Sequence, residues 1–273
     1  MFLKTFLRKC FRKEKKKPEE IFIDACKRGD LVLVRECLRQ GVDVNSGGCA
    51  GLEEAIIGLN TEVASLLLAQ PNIELTERHL ELALTRSKEV FLKIVSIFPE
   101  FLNLRLSTWR ETPLLKAVKA NQTEIVEELS KLNGVDLNDP DWFGNYPITT
   151  ALINGNADIV NILLSKSDLN LNVRDRNGRT LPEIALDLDF TERRRNSVRC
   201  FQLVSRDMRV DWNVKTTTGE SPVMRALREK KMPCVKILVT TANIDLTEFL
   251  GNEEGKIIYK IIMTDLFAKM KLI

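Results

Sequence analysis

The sequence predicts an all-α solenoid of about seven helix-turn-helix repeats. The main observation is an alanine that returns at intervals of 30, 28, 34, 34, 34 and 41 residues. Each alanine belongs to a short apolar stripe, and a polar turn separates that stripe from a second one. A period of about 20–50 residues indicates stacked units that bury their apolar faces against one another. The alanines are Ala25, Ala55, Ala83, Ala117, Ala151, Ala185 and Ala226.

The clearest repeat runs from residue 112 to residue 139 and shows how each element is specified. Thr112 is a favoured N-cap residue, and Pro113 suits the first helical turn because an N–H there has no helical partner to lose. Apolar residues then follow at helical spacing as far as Val118. Thr123 precedes a second apolar stripe that reaches Leu129. The spacing predicts two short helices followed by an extended segment.

A recurrent motif lies between the repeats. It reads Asp-x-x-Gly before the Thr-Pro-type helix start at residues 141–147 and 175–180, and residues 218–222 match its glycine and the helix start. An Asp-x-Asn closing motif occurs at residues 43–45 and 211–213. This pattern resembles the ankyrin-repeat family over residues 19–255. The resemblance implies an ankyrin-repeat solenoid with short β-hairpin or finger loops and a concave recognition face.

The sequence departs from the family pattern at several positions. The histidine of the family's Thr-Pro-Leu-His motif is absent from every repeat, which implies turns that are held less firmly. Arg110 stands at the glycine position of its turn, so we expect that turn to differ from the others. The second and third repeats have Gly51 and His79 in place of the proline, and we expect irregular or shortened fingers there.

The sixth repeat and the two chain ends carry additional segments. The sixth interval is seven residues longer than the preceding ones (41 against 34), and we place this insertion near residues 190–196, between the two helices of that repeat. Residues 1–18 are predicted to form a basic amphipathic or disordered extension. Residues 256–273 have apolar positions at helical spacing, which predicts a capping helix or a partial repeat.

The cysteine pattern predicts free thiols in a reducing compartment. Six cysteines occur without a Cys-x-x-Cys pair, and three of them fall on apolar stripes. The sequence has no apolar run long enough for a membrane span or a secretory signal peptide. These observations predict a cytoplasmic protein, with a membrane surface as a further location and the nucleus as a less favoured one.

Residues suited to catalysis are few. The single histidine, His79, is insufficient for a multi-histidine metal site and disfavours histidine-dependent nucleophilic catalysis. We interpret it as a partly exposed helix-start residue, with a pH-sensitive contact as the alternative. Residues 47–51 are rich in glycine but lack the phosphate-binding pattern. The sequence therefore predicts no enzymatic activity, no cofactor, no metal and no small-molecule substrate.

The candidate partner-binding residues lie at the predicted finger tips. Three aromatic residues occupy the variable positions of the turns, where a side chain either packs on the neighbouring finger or is exposed. Aromatic and arginine side chains are enriched at binding hot spots. We assign Trp212, in a closing segment, a structural role instead. The predicted partner contacts are Trp109, Arg110, Trp142, Phe143, Arg176 and Asn177.

These observations, with the family resemblance, predict a non-catalytic protein-interaction module, an adaptor or scaffold. Its partner is a protein whose identity the sequence leaves open. Residues 18–273 carry 33 basic and 37 acidic side chains, a net charge of −4, and lack a basic stripe with interleaved aromatic residues. Specific nucleic-acid binding is therefore not expected.

The first 17 residues suggest a rival function. They contain eight basic residues and one acidic residue, and a helical wheel separates their apolar and basic side chains. Such a segment can bind an anionic membrane surface, which would make the protein a membrane-recruited regulator whose repeats hold a cargo. A mitochondrial presequence, a nuclear import signal and a disordered solubilising tail are the alternatives. The candidate lipid contacts are Phe2, Phe6, Arg8, Cys10, Arg12 and Lys13.

Overall fold

The computed structural model describes residues 17–106, 108–188, 195–249 and 253–270. Most of the basic N-terminal extension and most of the predicted insertion at 190–196 lie outside these residues. The described chain divides into two compact units between Leu106 and Thr108, here called unit 1 and unit 2. Both units consist of consecutive antiparallel helix pairs.

Unit 1 contains three helical hairpins and ends in a 3-10 turn at Pro99–Phe101. The first helices of the hairpins pack side by side in one layer, and the second helices pack in another. The hairpins are α1 (Pro18–Arg28) with α2 (Leu31–Arg39), α3 (Ser46–Ile57) with α4 (Thr61–Leu68), and α5 (Glu77–Arg86) with α6 (Lys88–Ile97).

Unit 2 repeats the two-layer arrangement with four hairpins and a final helix. The final helix packs on the second helix of the last hairpin. The hairpins are α7 (Pro113–Lys119) with α8 (Thr123–Lys131), α9 (Pro147–Ile153) with α10 (Ala157–Leu164), α11 (Leu181–Leu186) with α12 (Arg195–Arg206), and α13 (Pro222–Arg228) with α14 (Met232–Thr241). The final helix is α15 (Glu253–Met270), which follows a 3-10 turn at Thr247–Phe249.

The predicted all-α fold is confirmed. Regular secondary structure in the described ranges is helical, and the β-bridge between Arg174 and Thr180 is isolated. The alanines that set the sequence period explain the close layer of first helices, because each lies on a first helix with no exposed surface. A larger side chain there would separate neighbouring hairpins in a close-packed core.

Asparagine side chains clamp successive repeats together. Asn138 Nδ2 donates to the Asp168 carbonyl at 2.9 Å, and its Oδ1 accepts from the Asn170 N–H at 2.7 Å. Asn45 makes the same pair of bonds with residues 72 and 74, and Asn213 makes it with residues 243 and 245. Each clamp therefore satisfies the backbone of an extended segment that has no strand partner.

The five described cysteines are buried free thiols, and Cys10 lies outside the described residues. Burial raises the pKa of Cys26 to about 12 and the pKa values of Cys200 and Cys234 to about 11. These thiols therefore remain protonated and act as small apolar core groups. Among the described helices, none combines the length and apolarity that crossing a bilayer requires.

His79 lies in the first turn of its helix, as predicted, but the expectation of partial exposure is wrong. The residue is only 1% exposed. Its Nδ1 accepts a hydrogen bond from the Thr76 N–H at 3.0 Å, which holds the ring back against the start of its own helix. Its Nε2 has no hydrogen-bond partner among the described residues and lies 3.9 Å from Glu53 Oε1 of the preceding hairpin.

Candidate functional site

Four loops in unit 2 lead into the first helices of its hairpins. We call them finger A (residues 108–111), finger B (141–146), finger C (175–180) and finger D (216–221). They precede α7, α9, α11 and α13, respectively. All six predicted partner contacts lie on fingers A, B and C, and we call these six residues the fingertip patch.

Aspartate side chains organise fingers B and C in the same way. Asp141 Oδ1 accepts from the N–H groups of Phe143 at 2.8 Å and Asn145 at 2.9 Å. In finger C, Asp175 Oδ1 accepts from the N–H groups of Asn177 and Arg179, both at 2.9 Å. These bonds join an aspartate to main-chain groups two and four residues later, so each turn is held from within.

Lys119, on helix α7, forms ion pairs with both finger A and finger B. Lys119 Nζ lies 2.6 Å from both Asp141 Oδ2 and Glu111 Oε1, and the Asp141 side chain is fully buried. Burial acts to raise the pKa of Asp141, but hydrogen bonds from Lys119 and Asn145 outweigh it and hold the pKa below its usual range. Burial acts to lower the pKa of Lys119, but hydrogen bonds to the carboxylates of Asp141 and Glu111 outweigh it, so the pKa is raised above its usual value. Asp141 and Lys119 are therefore both charged at neutral pH.

At Arg110, the backbone of finger A has the same left-handed conformation as the neighbouring fingers, although the residue type led us to expect a different turn. Arg110 has a φ of 59°, against 73° for Gly144 and 75° for Gly178 at the equivalent positions. The arginine therefore adopts the left-handed conformation that glycine occupies more easily. Arg110 thus has the backbone conformation of the equivalent glycines, and its side chain is exposed to solvent.

The aromatic residues of the fingertip patch come together at fingers A and B. The ring centroids of Trp109 and Phe143 lie 5.1 Å apart with an interplanar angle of 33°. The Trp142 N–H donates to the Trp109 carbonyl at 2.9 Å. The rings nevertheless remain accessible, with exposed fractions of 62% for Trp142, 51% for Trp109 and 40% for Phe143. Trp109 and Phe143 thus pack against each other between the fingers and are also partly exposed, so both interpretations of these aromatics apply to them.

Finger C adds the remaining two members of the fingertip patch. Arg176 and Asn177 are exposed at its tip. A Cβ atom at Gly144 would lie 2.9 Å from the Arg176 nitrogen and 3.2 Å from its Cβ, so fingers B and C meet backbone to backbone. Arg174, directly before finger C, is also exposed, and its side chain donates a hydrogen bond to the Gly178 carbonyl at 2.8 Å. The sequence analysis did not select it because the Asp-x-x-Gly motif begins one residue later.

Comparison with known proteins identifies the repeats. A family model described as ankyrin repeats in three copies matches residues 86–185. Residues 86–185 contain ankyrin repeats. Among solved structures, the ankyrin-repeat domain of Bcl-3, a member of the IkappaB family, shares 22% identity over 80% of this chain and 97% of its own, with a TM-score of 0.61. An ankyrin-repeat protein from Leishmania major shares 17% identity over 86% and 84%, with a TM-score of 0.52. No curated protein matches at a significant level of sequence similarity.

Glutamate replaces the missing ankyrin-motif histidine in one of the described repeats of unit 2. Glu183 stands at that position in α11 and is 2% exposed. Its Oε1 accepts from the Thr217 N–H at 2.9 Å and from the Thr217 hydroxyl at 2.6 Å, both in finger D. The family histidine likewise bonds backbone across neighbouring repeats, so finger D is held firmly, contrary to the expectation for this turn.

Other residues that the sequence analysis singled out lie away from the fingers. Trp212 is buried and packs edge-on against Phe201 with centroids 5.5 Å apart, as a structural residue would. Within the described ranges, no cluster of His, Cys, Asp and Glu is arranged to hold a metal ion. The candidate lipid contacts lie outside the described residues: Phe2, Phe6, Arg8, Cys10, Arg12 and Lys13.

Proposed function

We propose that the protein is a non-catalytic adaptor or scaffold that binds a partner protein through the fingertip patch and the adjoining first helices of unit 2. Ankyrin repeats in general serve as protein-interaction modules with extended binding surfaces. The observation that carries the proposal is the exposure of three large aromatic side chains on adjacent fingers. A cluster of this composition is typical of the residues that dominate binding energy at interfaces.

The rigidity of the fingers supports this proposal. Asp141 and Asp175 hold their turns through main-chain bonds, and the Trp142 N–H ties finger B to finger A. A surface ordered before binding loses less conformational entropy when the partner arrives. The fingertip patch therefore combines exposed apolar area with a backbone that is already fixed.

Affinity capture with paired variants tests the proposal. The test protein carries Trp109→Ala and Trp142→Ala, and the control carries Met208→Ala, which removes an apolar side chain that is 71% exposed elsewhere in unit 2. We expect a partner to be retained by the wild type and the control and lost by the double variant. Thermal unfolding of all three proteins establishes that the double variant is folded. Identical captured proteins for all three would refute the proposal.

A second candidate function rests on the charge of the N-terminal segment. Residues 1–17 carry a net charge of +7 with interleaved aromatic residues. We propose that this segment recruits the protein to an anionic membrane while the repeats hold a cargo. Co-sedimentation with phosphatidylserine vesicles tests this by comparing the full chain with a version that lacks residues 1–17. Equal pelleting of the two proteins would exclude the recruitment.

A further inference from the structure

We infer that the partner segment at the fingertip patch is acidic and carries at least one large apolar side chain. This inference rests on the proposed function and adds the chemical class of the partner. It follows from the charges that the three fingers leave unpaired and from where those charges lie relative to the aromatic residues.

The first observation concerns two arginines. Arg110 and Arg176 are both exposed, and neither forms an ion pair or a side-chain hydrogen bond with any other described residue. Most other arginines of unit 2 behave differently: Arg179, Arg225 and Arg228 each bond to carboxylates. The fingertip patch therefore presents two guanidinium groups whose donors are available to an incoming acceptor.

The carboxylates on the same three fingers are already engaged. Asp141 uses both oxygens within finger B and on Lys119, and Glu111 bonds to the same lysine. Asp175 uses one oxygen on its own turn and the other on Arg179. These acids face inward with side-chain exposures of 14% or less, whereas the arginines project outward. These three carboxylates therefore do not neutralise Arg110 and Arg176 at the finger tips.

The third observation is the order of the groups across the fingers. Arg110 follows Trp109 on finger A, the exposed Trp142 and Phe143 lie on finger B, and Arg176 lies on finger C beside Gly144. The exposed aromatic residues of fingers A and B therefore share the fingertip patch with one arginine on finger A and one on finger C. A segment with carboxylates around an aromatic or aliphatic residue complements both features, since arginine binds carboxylates through two parallel hydrogen bonds.

Selection from a random library of 16-residue peptides displayed on phage tests the inference. The full chain is the bait, and enriched clones are sorted by whether the Trp109→Ala, Trp142→Ala protein still binds them. Clones that the double variant loses are finger-dependent. We expect these clones to carry more Asp and Glu than the unselected library, together with an apolar residue.

Charge variants then test the two arginines directly. Arg110→Asn suits a left-handed position, and Arg176→Gln keeps the length of a polar side chain. We expect the pair to weaken finger-dependent peptides by about tenfold and to reduce the salt dependence of binding. Arg206→Gln with Lys236→Gln removes two exposed charges from the second helices and should leave binding unchanged.

The outcomes separate the two levels of the argument. An absence of finger-dependent clones would overturn the proposed function itself. Finger-dependent clones without an acidic excess, or with equal affinity for the arginine variant, would overturn the inference and leave the proposed function standing.

Discussion

The Trp109 ring packs on the Phe143 ring of the next finger at a centroid distance of 5.1 Å, and the Trp109 carbonyl accepts the Trp142 N–H. This pairing joins two loops 34 residues apart in the sequence. It orients the second tryptophan outward, where 62% of its surface is accessible. Two of the three aromatic residues thus contact each other between the fingers, and the third stays largely exposed.

The Trp109–Phe143 contact should be measurable as a coupling free energy. We expect Trp109→Ala and Phe143→Ala each to lower the free energy of unfolding, and the double variant to lose less than the sum by about 0.5–1.5 kcal/mol. Urea unfolding of the four proteins of the cycle gives the value. As a control, a cycle of Phe143→Ala with Met208→Ala should be additive. Additivity for Trp109 and Phe143 as well would contradict a stabilising ring contact.

Replacing Arg110 with glycine should stabilise the protein. At a φ of 59° an arginine is strained by an amount of order 1 kcal/mol, part of which glycine loses again because its unfolded chain is more flexible. We expect a small gain in the free energy of unfolding, below about 1 kcal/mol. Arg176→Gly is the matched control, since Arg176 occupies a turn position without a positive φ, and it should give no gain. A loss of stability for Arg110→Gly would show that the side chain makes a stabilising contact.

His79 should make stability depend on pH. Burial lowers its pKa below the ordinary value of about 6.5, and the nearby Glu53 opposes this shift only in part. Because the folded state then binds a proton less readily than the unfolded state, this stabilising contribution is full above about pH 7. It declines as the pH falls below about 6.5.

His79→Gln provides the comparison, because glutamine is favoured at this capping position and does not titrate. We expect the difference in unfolding free energy between the two proteins to vary across pH 5–7. The protein has a single histidine, so an NMR titration of its imidazole reports the pKa without ambiguity. A measured pKa at or above 6.5 would contradict the structural argument.

The asparagine clamp at Asn138 should contribute measurably to stability. Asn138→Ala removes two hydrogen bonds to the following repeat, and we expect a loss of about 1–2 kcal/mol in the free energy of unfolding. Asn172 is the matched control, because it is exposed and its side chain makes no clamp of this kind. Asn172→Ala should therefore change stability by less than about 0.5 kcal/mol. Equal losses for the two variants would rule out the clamp as the cause.

Periodicity predicted the helices well because stacking imposes it on every repeat. The recurring alanines are all fully buried, and the proline positions begin helices at Pro113, Pro147 and Pro222. Periodicity says less about single side chains. His79 was expected at the surface, but a hydrogen bond to Thr76 turns its ring inward, and no spacing rule encodes that bond.

The candidate site shows the same limit. The motif placed the finger residues, but it could not tell which of two adjacent aromatics would touch the neighbouring finger. Which aromatic touches the neighbouring finger depends on how the two loops are oriented, and the hydrogen bond from the Trp142 N–H to the Trp109 carbonyl connects them. Arg110 illustrates the reverse case, because its residue type suggested a different turn, yet its backbone keeps the left-handed conformation of the equivalent glycines.

The aspartate bonds within fingers B and C have a consequence for how recognition can change. Because Asp141 and Asp175 accept from main-chain N–H groups, the side chains at positions 142, 143, 176 and 177 take no part in shaping their own turns. Under the proposed function, substitutions at positions 142, 176 and 177 can change which molecule is recognised with little loss of folding free energy, whereas Phe143 also packs on Trp109. New specificities can therefore arise by single-residue replacement, without prior compensating mutations in the core.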